Sequence, residues 1–403
     1  MRFTTSFLAL AFALGGCGDD AADPAEDGGV PPLDAAPADA GGDDAGPEPD
    51  GGPDAEPTVL LDGDQLTDAD GFSLYVFARD VPGDVAESNC AGECAATWPA
   101  FAPAELVLDE SLDASLFGAT GEGQVTFRGW PLYRFANDLA PGERSGDAVG
   151  GVWYRARDPF YSLLVRVDDA LGRYAVDGDG NTLYYFARDL PSGRFGGLEA
   201  TSACEGGCLA AWPLPNAADP LVLPSDFGPD AWTFFERPEG AQLLYRGWPV
   251  YAFAGDEAPA ETAGDGSGDV WFVHSVGFFQ LVVMSAGEGG PYVATADGRS
   301  VYLNRSDVPA AGDDPPSSTC LGGCLATWPP VLLEDPRAPS LLASQEAFGT
   351  WTREGIGTQL TFRGLPMYHF SGDAAAGERN GDGGGPWELV RATESAARAS
   401  NGY

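Results

Sequence analysis

The stretch Cys90-Ala91-Gly92-Glu93-Cys94-Ala95-Ala96-Thr97-Trp98-Pro99 is decisive for the fold, because its pattern occurs three times in the chain. The same C-x3-C-x3-W-P pattern returns at Cys204, Cys208, Trp212 and Pro213, and again at Cys320, Cys324, Trp328 and Pro329. Successive copies lie about 115 residues apart. A fixed internal period marks the structural unit that a chain reuses. The sequence therefore predicts three tandem units.

Each unit has two halves, and both halves are rich in β-branched and aromatic residues. The first half places such runs around Asp-Gly pairs, for example Asp177-Gly178 and Asp297-Gly298, which is a good hairpin signal. The second half carries an Arg-Gly pair that predicts a turn or bulge. Many short strands separated by Gly and Pro are typical of an all-β fold. We expect three tandem small β-domains of about 115 residues, each with two half-repeats; the alternative is a single β-propeller-like ring.

The N-terminus has the features of an export signal. Met1 and Arg2 give a positive start, and the apolar run that follows is too short to span a bilayer. The segment resembles a bacterial lipoprotein signal, which ends at a cysteine, here Cys17. That resemblance implies cleavage before Cys17 and a lipid on this residue that binds the mature protein to a membrane. The other six cysteines form pairs, and an even number in an exported chain favours disulfides.

The segment after Cys17 is strongly acidic. Residues 18–57 contain 13 acidic residues and no Lys or Arg, so they cannot bury enough apolar surface to fold. We expect a signal peptide at 1–16, a disordered tether at 17–57, and repeats at 58–160, 161–280 and 281–403. The whole chain has a net charge of −40 and no lysine, which excludes nucleic acid as a partner.

A second motif, Y-x4-D, occurs twice in each unit. Its members are Tyr75/Asp80, Tyr133/Asp138, Tyr184/Asp189, Tyr251/Asp256, Tyr302/Asp307 and Tyr368/Asp373. A Phe stands two residues after each Tyr except Tyr302, where Asn304 replaces it. With the cysteine pairs, this pattern resembles the bacterial secreted-repeat lipoproteins named for a Y-x4-D motif. The resemblance implies export and repeat architecture, and it implies no activity. With a lipid on Cys17, a place in the bacterial cell envelope is expected, and Gly18 instead of Asp after this cysteine favours the outer membrane or cell surface.

The favoured interpretation of the Y-x4-D motif is structural. Odd offsets along a strand point to opposite faces, so Tyr is expected to pack in the core. The Asp is expected to end the strand by hydrogen bonding to turn backbone. A site for a cation or a glycan built from several Asp loops is the alternative. The recurring Arg128, Arg246 and Arg363 are expected to brace the recurring Asp residues.

The three cysteine pairs are interpreted first as structural disulfides, Cys90 with Cys94, Cys204 with Cys208, and Cys320 with Cys324. Redox chemistry and metal handling are the alternatives. A haem attachment needs His directly after the second Cys, and a binuclear copper site needs His where Trp98 stands, so no cofactor is expected. The Asp177–Asn181 stretch resembles the start of a calcium loop, but Arg188 stands where an EF-hand needs Glu. A weak surface calcium site stays open.

Catalytic groups are scarce in the sequence. The chain has two histidines, His274 and His369, which occupy different places in their repeats, and no Ser-His-Asp or Cys-His set is visible. The hypothesis is therefore a non-enzymatic binding or display module with an unknown envelope or extracellular ligand. An envelope redox or metal-handling protein that uses the cysteine pairs is the alternative.

Overall fold

A computed structural model describes residues 56–169, 171–193, 199–217, 219–276, 280–285, 289–333 and 347–391. The predicted signal peptide, the lipidation site Cys17 and the tether as far as residue 55 lie outside the described residues. The described residues belong to one compact unit. In the described part of this unit, none of the helices has the length and apolarity that crossing a bilayer requires.

The first repeat consists of short strands with one five-residue helix. Its elements are β1 (Val59–Asp62), β2 (Gln65–Asp68), β3 (Tyr75–Phe77), α1 (Glu93–Thr97), β4 (Phe117–Ala119), β5 (Val125–Phe127), β6 (Trp130–Pro131) and β7 (Trp153–Arg155). Short 3₁₀ turns at Ala114–Leu116 and Val149–Gly151 precede β4 and β7.

The second and third repeats follow the same order of elements. The second contains β8 (Leu163–Asp168), β9 (Gly172–Asp177), β10 (Tyr184–Phe186), α2 (Gly207–Ala211), β11 (Trp232–Arg237), β12 (Gly240–Tyr245), β13 (Trp248–Tyr251) and β14 (Trp271–Val273), with 3₁₀ turns at Pro229–Ala231 and Ser267–Asp269. The third contains β15 (Leu281–Met284), β16 (Tyr292–Thr295), β17 (Tyr302–Asn304), α3 (Cys324–Thr327), β18 (Phe348–Arg353), β19 (Gly357–Phe362), β20 (Leu365–Tyr368) and β21 (Trp387–Leu389).

Each repeat combines a two-stranded hairpin with an antiparallel sheet. In the second repeat the sheet order is β11-β12-β13-β10-β14, and in the third it is β18-β19-β20-β17-β21. The first repeat has the same arrangement in two pieces, β4-β5-β6 and β3-β7, which a single bridge between Tyr75 and Tyr133 connects. The described residues therefore form open antiparallel sheets and no closed barrel or propeller, so the propeller-like alternative is wrong and the all-β tandem fold is confirmed.

The recurring Arg-Gly pair forms the tight turn that the sequence predicted. Arg128 and Gly129 have φ values of 50° and 79°, Arg246 and Gly247 have 50° and 89°, and Arg363 and Gly364 have 49° and 78°. Two successive positive φ values characterise the two-residue turn that matches the twist of an antiparallel hairpin. The turn joins β5 to β6, and its counterparts join β12 to β13 and β19 to β20.

The apolar core runs through all three repeats. One cluster of buried side chains extends from Val59 in the first hairpin to Val390 after the last strand. A second cluster, around Tyr75, Trp98 and Trp153, lies in the first repeat. The repeats thus share apolar packing, as tandem units of a solenoid do. The boundaries at 58–160, 161–280 and 281–403 stay predictions.

Candidate functional site

The two motif tyrosines of each repeat lie directly opposite each other on neighbouring antiparallel strands. Tyr75 and Tyr133 exchange two backbone hydrogen bonds of 2.9 Å. Tyr184 faces Tyr251 in the second repeat, and Tyr302 faces Tyr368 in the third. Directly opposite residues project from the same side of a sheet. Both phenol rings of a repeat therefore enter one layer, where all six rings are fully buried.

The motif aspartates sit at the far side of a tight turn. Strand β3 ends at Phe77, and the backbone N–H of Asp80 donates to the Phe77 carbonyl at 3.0 Å. In the five other copies, the N–H of the motif Asp likewise donates to the carbonyl of the Phe or Asn three residues before it. In the first half of each repeat the motif is thus a strand, Y-x-F or Y-x-N, followed by a turn that ends at Asp; in the second half the strand ends at or before the Tyr and the same turn follows. The expectation that Tyr and Asp occupy opposite faces of one strand does not apply, because the Asp lies beyond the strand.

Each tyrosine donates a hydrogen bond to the aspartate of the other motif in its own repeat. In the first repeat the Tyr75 hydroxyl donates to Asp138 and the Tyr133 hydroxyl donates to Asp80, both at 2.6 Å. The reciprocal pairs in the other repeats, at 2.6–2.7 Å, are Tyr184–Asp256, Tyr251–Asp189, Tyr302–Asp373 and Tyr368–Asp307. The six motifs therefore meet as three swapped double pairs. A hydrogen bond to a charged group contributes about 1.5–3 kcal/mol.

The second carboxylate oxygen of every motif aspartate accepts a backbone N–H from the loop that follows. Asp80 accepts from Asn89 at 2.7 Å, and Asp138 accepts from Ser145 at 2.9 Å. The four other contacts, at 2.7–2.9 Å, are Asp189 from Ala203, Asp256 from Ala263, Asp307 from Thr319, and Asp373 from Asn380. The aspartates do bind turn backbone, as expected, and bind tyrosine as well, which was not expected. Their oxygens are used inside the fold.

Burial shifts the titration of these pairs. Loss of solvation raises the pKa of Asp80 to about 7, against the hydrogen bonds from Asn89 and Tyr133, which lower it. Burial likewise raises the pKa of Asp189 to about 7. The tyrosine partners also have raised pKa values, because they are buried beside a carboxylate. At neutral pH the tyrosines stay protonated and act as donors, so none is available as a base.

A serine two residues before the first cysteine extends three of the six pairs. The oxygens of Ser88 and Tyr133 are 2.7 Å apart, and Ser202 with Tyr251 and Ser318 with Tyr368 show 2.6 Å. A phenol has one proton, and the carboxylate is its stronger acceptor. The Tyr133 hydroxyl is therefore shared between Asp80 and Ser88, and in the two other repeats either hydroxyl of the Ser–Tyr pair can be the donor. Sequence analysis missed this S-x-C position, although its recurrence was visible.

Four aromatic rings stack beside the tyrosines in the first repeat. Trp98 and Trp153 lie face to face with 3.8 Å between ring centroids, Phe77 covers Trp153 at 4.1 Å, and Phe135 covers Trp98 at 4.1 Å. The second repeat has the same stack of Phe186, Trp271, Trp212 and Phe253. In the third repeat Asn304 replaces one Phe and hydrogen bonds to Ser306 and Thr319. Stacked aromatic pairs contribute about 0.5–1.5 kcal/mol beyond their burial.

The cysteines of each pair are bonded at the start of a short helix. The Cys90–Cys94, Cys204–Cys208 and Cys320–Cys324 disulfides have Cα–Cα distances of 5.2, 5.3 and 5.2 Å. The first cysteine of each pair is buried and the second is half-buried. None of the helices that follow has a buried residue within it. The bridge therefore holds an exposed helix against the aromatic stack.

A recurring E-x-x-G-D segment closes the second half of each repeat, and the sequence analysis did not use it. Glu143 accepts from the N–H groups of Leu139 and Ala140, at 2.6 and 3.3 Å. Glu261 and Glu378 make the same contacts in their repeats. The glycine of the segment leaves room for the rings: a Cβ on Gly146 would come within 2.8 Å of Trp98 and Tyr75. Acidic residues thus serve as turn acceptors throughout.

Two of the recurring arginines have partners other than the motif aspartates. Arg128 forms a 3.3 Å ion pair with Asp179 of the second repeat, and Arg363 lies over the Phe362 ring at 5.3 Å. In the calcium-like loop, Asp177 accepts from the loop's own Asp179 and Asn181 N–H groups at 3.0 and 2.9 Å. The described residues contain no cluster of three or more His, Cys, Asp and Glu side chains that would hold a metal ion. Burial lowers the pKa of His274 to about 3 and keeps this residue neutral.

Two open grooves lie where successive repeats meet. One, of about 330 Å³, is lined by residues that include Ser115, Phe117 and Arg128 of the first repeat and Asp179 of the second. The other, of about 570 Å³, is lined by residues that include Arg188, Leu190, Thr201 and Ser202 of the second repeat and Ser285 of the third. The grooves are therefore formed mostly by residues outside the recurring motifs.

Comparison with known proteins identifies the half-repeat as the unit of similarity. A family described as a secreted repeat of unknown function matches residues 61–102, 118–156, 165–214 and 233–274. Each match covers one half-repeat, with one Y-x4-D motif. Neither the curated proteins nor the solved structures include a significant match to the chain. The four matched segments between residues 61 and 274 are therefore similar to the family of secreted repeats of unknown function.

Proposed function

We propose that the protein is a lipid-anchored repeat protein of the bacterial cell envelope, facing outward from the outer membrane, that works as a non-enzymatic binding or display module. One observation carries the non-enzymatic part. The recurring polar groups hydrogen bond to one another: each motif Tyr donates to an Asp, and each motif Asp also accepts from a backbone N–H. A catalytic or ligand-binding set would keep such groups free and open to solvent.

The proposed binding role rests on the two surface grooves at the junctions between repeats. The recurring aromatics and carboxylates lie inside, while the two grooves at the repeat junctions are lined by a mixture of recurring residues, such as Arg128 and Ser202, and residues outside the recurring motifs, such as Ser115 and Ser285. Arg128 and Arg188 line one groove each, in a chain with a net charge of −40. A rigid repeat scaffold with surface grooves is suited to binding through several contacts at once.

Anchoring is tested by the fate of Cys17. The protein isolated from its native envelope should carry N-terminal Cys17 with a lipid adduct in mass spectrometry. A Cys17→Ala chain should leave the membrane fraction while the compact unit keeps its circular dichroism spectrum. An unmodified Cys17, or a Cys17→Ala chain that stays with the membrane, would reject the anchor.

Binding is tested by photo-cross-linking on intact cells. A photo-reactive amino acid at Ser115 or Thr201, one in each groove, should capture a defined partner. The same amino acid at the exposed residue Glu354 serves as the matched control. Identical adducts at all three positions, or none, would reject a groove-based binding role.

The redox alternative is separated by counting thiols. Native mature protein without added reductant should react with no thiol reagent at the six paired cysteines. Rapid labelling of these cysteines, or co-purified metal, would favour the redox or metal-handling alternative. Titration of the same sample with Ca²⁺ tests the alternative of a weak surface calcium site.

A further inference from the structure

One recurring contact between successive repeats is made by the tryptophan that follows the Arg-Gly turn. The Trp130 indole N–H donates to the carbonyl of Gly178 at 3.0 Å, and the Trp248 indole N–H donates to the carbonyl of Ala296 at 2.8 Å. Gly178 and Ala296 hold equivalent places in the hairpin turns of the second and third repeats. Both tryptophans are fully buried. The same donor therefore meets the same acceptor at both junctions.

A second recurring contact supports this junction. A Cβ on Gly180, in the hairpin turn of the second repeat, would come within 2.4 Å of Pro82 in the first repeat. A Cβ on Gly298, in the turn of the third repeat, would come within 3.1 Å of Pro191 in the second. Each hairpin turn thus fits between the tryptophan and a proline of the preceding repeat.

The last repeat keeps the turn and loses the donor. Arg363 and Gly364 have the same positive φ values as their counterparts, so the turn presents its next residue in the same way. That residue is Leu365, which has no N–H in its side chain and is half-buried. The turn geometry is therefore retained in the third repeat, and only the residue that would make the contact is changed.

The first repeat differs from the others in its hairpin, at the position that faces the preceding repeat in the second repeat. The hairpin registers make Asp62, Arg166 and Met284 equivalent, each at the third position after the first residue of its hairpin pairing. Arg166 and Met284 are buried, and Arg166 donates to the carbonyl of Asp80 in the preceding repeat. Asp62 is exposed. Asp62 forms an exposed 3.9 Å ion pair with Arg144, and covering it with another repeat would remove both charges from water, which is costly.

From these observations we infer that the R-G-W-P turn is the surface that couples successive repeats and that its partner is the hairpin turn of the next repeat. Leu365 and Asp62 prevent the same contact at the outer faces of the third and first repeats. These two residues therefore prevent head-to-tail association with a second copy of the chain. Terminal units of repeat proteins in general need a modified outer face to stay soluble.

The inference is tested by opening both ends. Leu365→Trp combined with Asp62→Met should convert a monomeric Cys17→Ala chain into head-to-tail oligomers whose sedimentation rate rises with concentration. Each single variant should associate less than the pair. The matched control is Asp62→Met with Leu332→Trp, which adds the same ring at an exposed position away from the turn and should stay monomeric. Association of the parent chain through these faces, or a folded double variant that stays monomeric, would overturn the inference.

The coupling role has its own test, which does not depend on new association. Trp248→Phe keeps an aromatic ring and removes the indole N–H. Hydrogen exchange of the amides in the Thr295–Gly298 turn should then become at least several-fold faster. Trp232→Phe, a buried tryptophan within the second repeat, should leave this turn unchanged. Equal exchange in both variants would show that the indole bond does not couple the repeats.

Discussion

At the scale of single residues, the swapped Tyr–Asp pair is the feature that distinguishes this fold. A buried carboxylate is stable only when its oxygens are satisfied. Asp80 obtains one donor from the loop after it and one from Tyr133 in the other half of the repeat. Neither donor is optional, because the side chain is fully buried. The tyrosine therefore contributes through its hydroxyl as well as through its ring.

Removing one hydroxyl tests this account. Tyr133→Phe should lower the free energy of unfolding by roughly 1–3 kcal/mol, because Asp80 loses a buried donor. Denaturant unfolding of the folded variant measures the change. Tyr161→Phe is the matched control, since Tyr161 is buried and makes no hydrogen bond to a carboxylate. Equal losses in the two variants would assign the role of Tyr133 to its ring alone.

The raised pKa values of Asp80 and Asp189 predict a dependence of stability on pH. Both values are about 7 in the folded protein, against 3.8 for an exposed Asp. Between these values the folded state binds more protons than the unfolded state, so stability should fall as pH rises through this window and level off above it.

Comparing variants isolates the contribution of Asp80. The difference in unfolding free energy between the parent and Asp80→Asn should change with pH by up to ~1.4 kcal/mol per unit within the window. The exposed Asp84→Asn serves as the matched control for replacing a carboxylate with an amide. A flat difference for Asp80→Asn would mean that Asp80 is ionised throughout.

At the scale of elements, the recurring glycine of the E-x-x-G-D loop is matched to the aromatic stack. Gly146→Ala should destabilise the protein by roughly 1–3 kcal/mol, because the added Cβ would overlap Trp98 and Tyr75. Tryptophan fluorescence and denaturant unfolding report the change. Gly121→Ala serves as the control, because nothing lies within 4 Å of its Cβ position. Similar losses at both positions would argue against close packing at the stack.

Elements that depend on neighbouring residues were predictable from the sequence, and the contacts between distant segments were not. The hairpins around Asp177 and the turn at Arg128 follow from local preferences for Gly, Asp and β-branched residues. The pairing of Tyr75 with Tyr133 joins two segments that lie 58 residues apart in the sequence. Alternation along a strand gives the face of a residue but does not name its partner strand.

The candidate site shows the same division. The burial of the motif tyrosines followed from their place in strands. Their hydrogen bonds to the swapped aspartates did not follow, because the turn that ends at each Asp sets its position. The stacking of Trp98 on Trp153 was also hidden, although both residues recur. Recurrence identified the residues that matter, and only the fold showed which of them touch.

At the scale of the whole molecule, the excess of negative charge opposes folding. The chain has 61 acidic and 21 basic residues, and many of its ion pairs, such as Arg79–Asp169, lie at the surface. Exposed pairs contribute little, so repulsion among the remaining carboxylates is not offset. Raising NaCl from low concentration to about 0.15 M should therefore increase the melting temperature, because the screening length falls to ~8 Å.

This prediction is read from a thermal melt at fixed pH. An equal osmolality of a neutral solute should raise the melting temperature less than the salt does. A melting temperature that falls with NaCl would show that ion pairs stabilise the molecule more than repulsion opposes it.

The reciprocal Tyr–Asp pairing also constrains how such a chain can change in length over time. A lone half-repeat would carry a carboxylate with no phenol to satisfy it and a phenol with no carboxylate to meet. Duplication or deletion of one half would leave both orphaned, whereas duplication of a complete pair brings its own complement. Viable descendants of this architecture should therefore contain half-repeats in even numbers only.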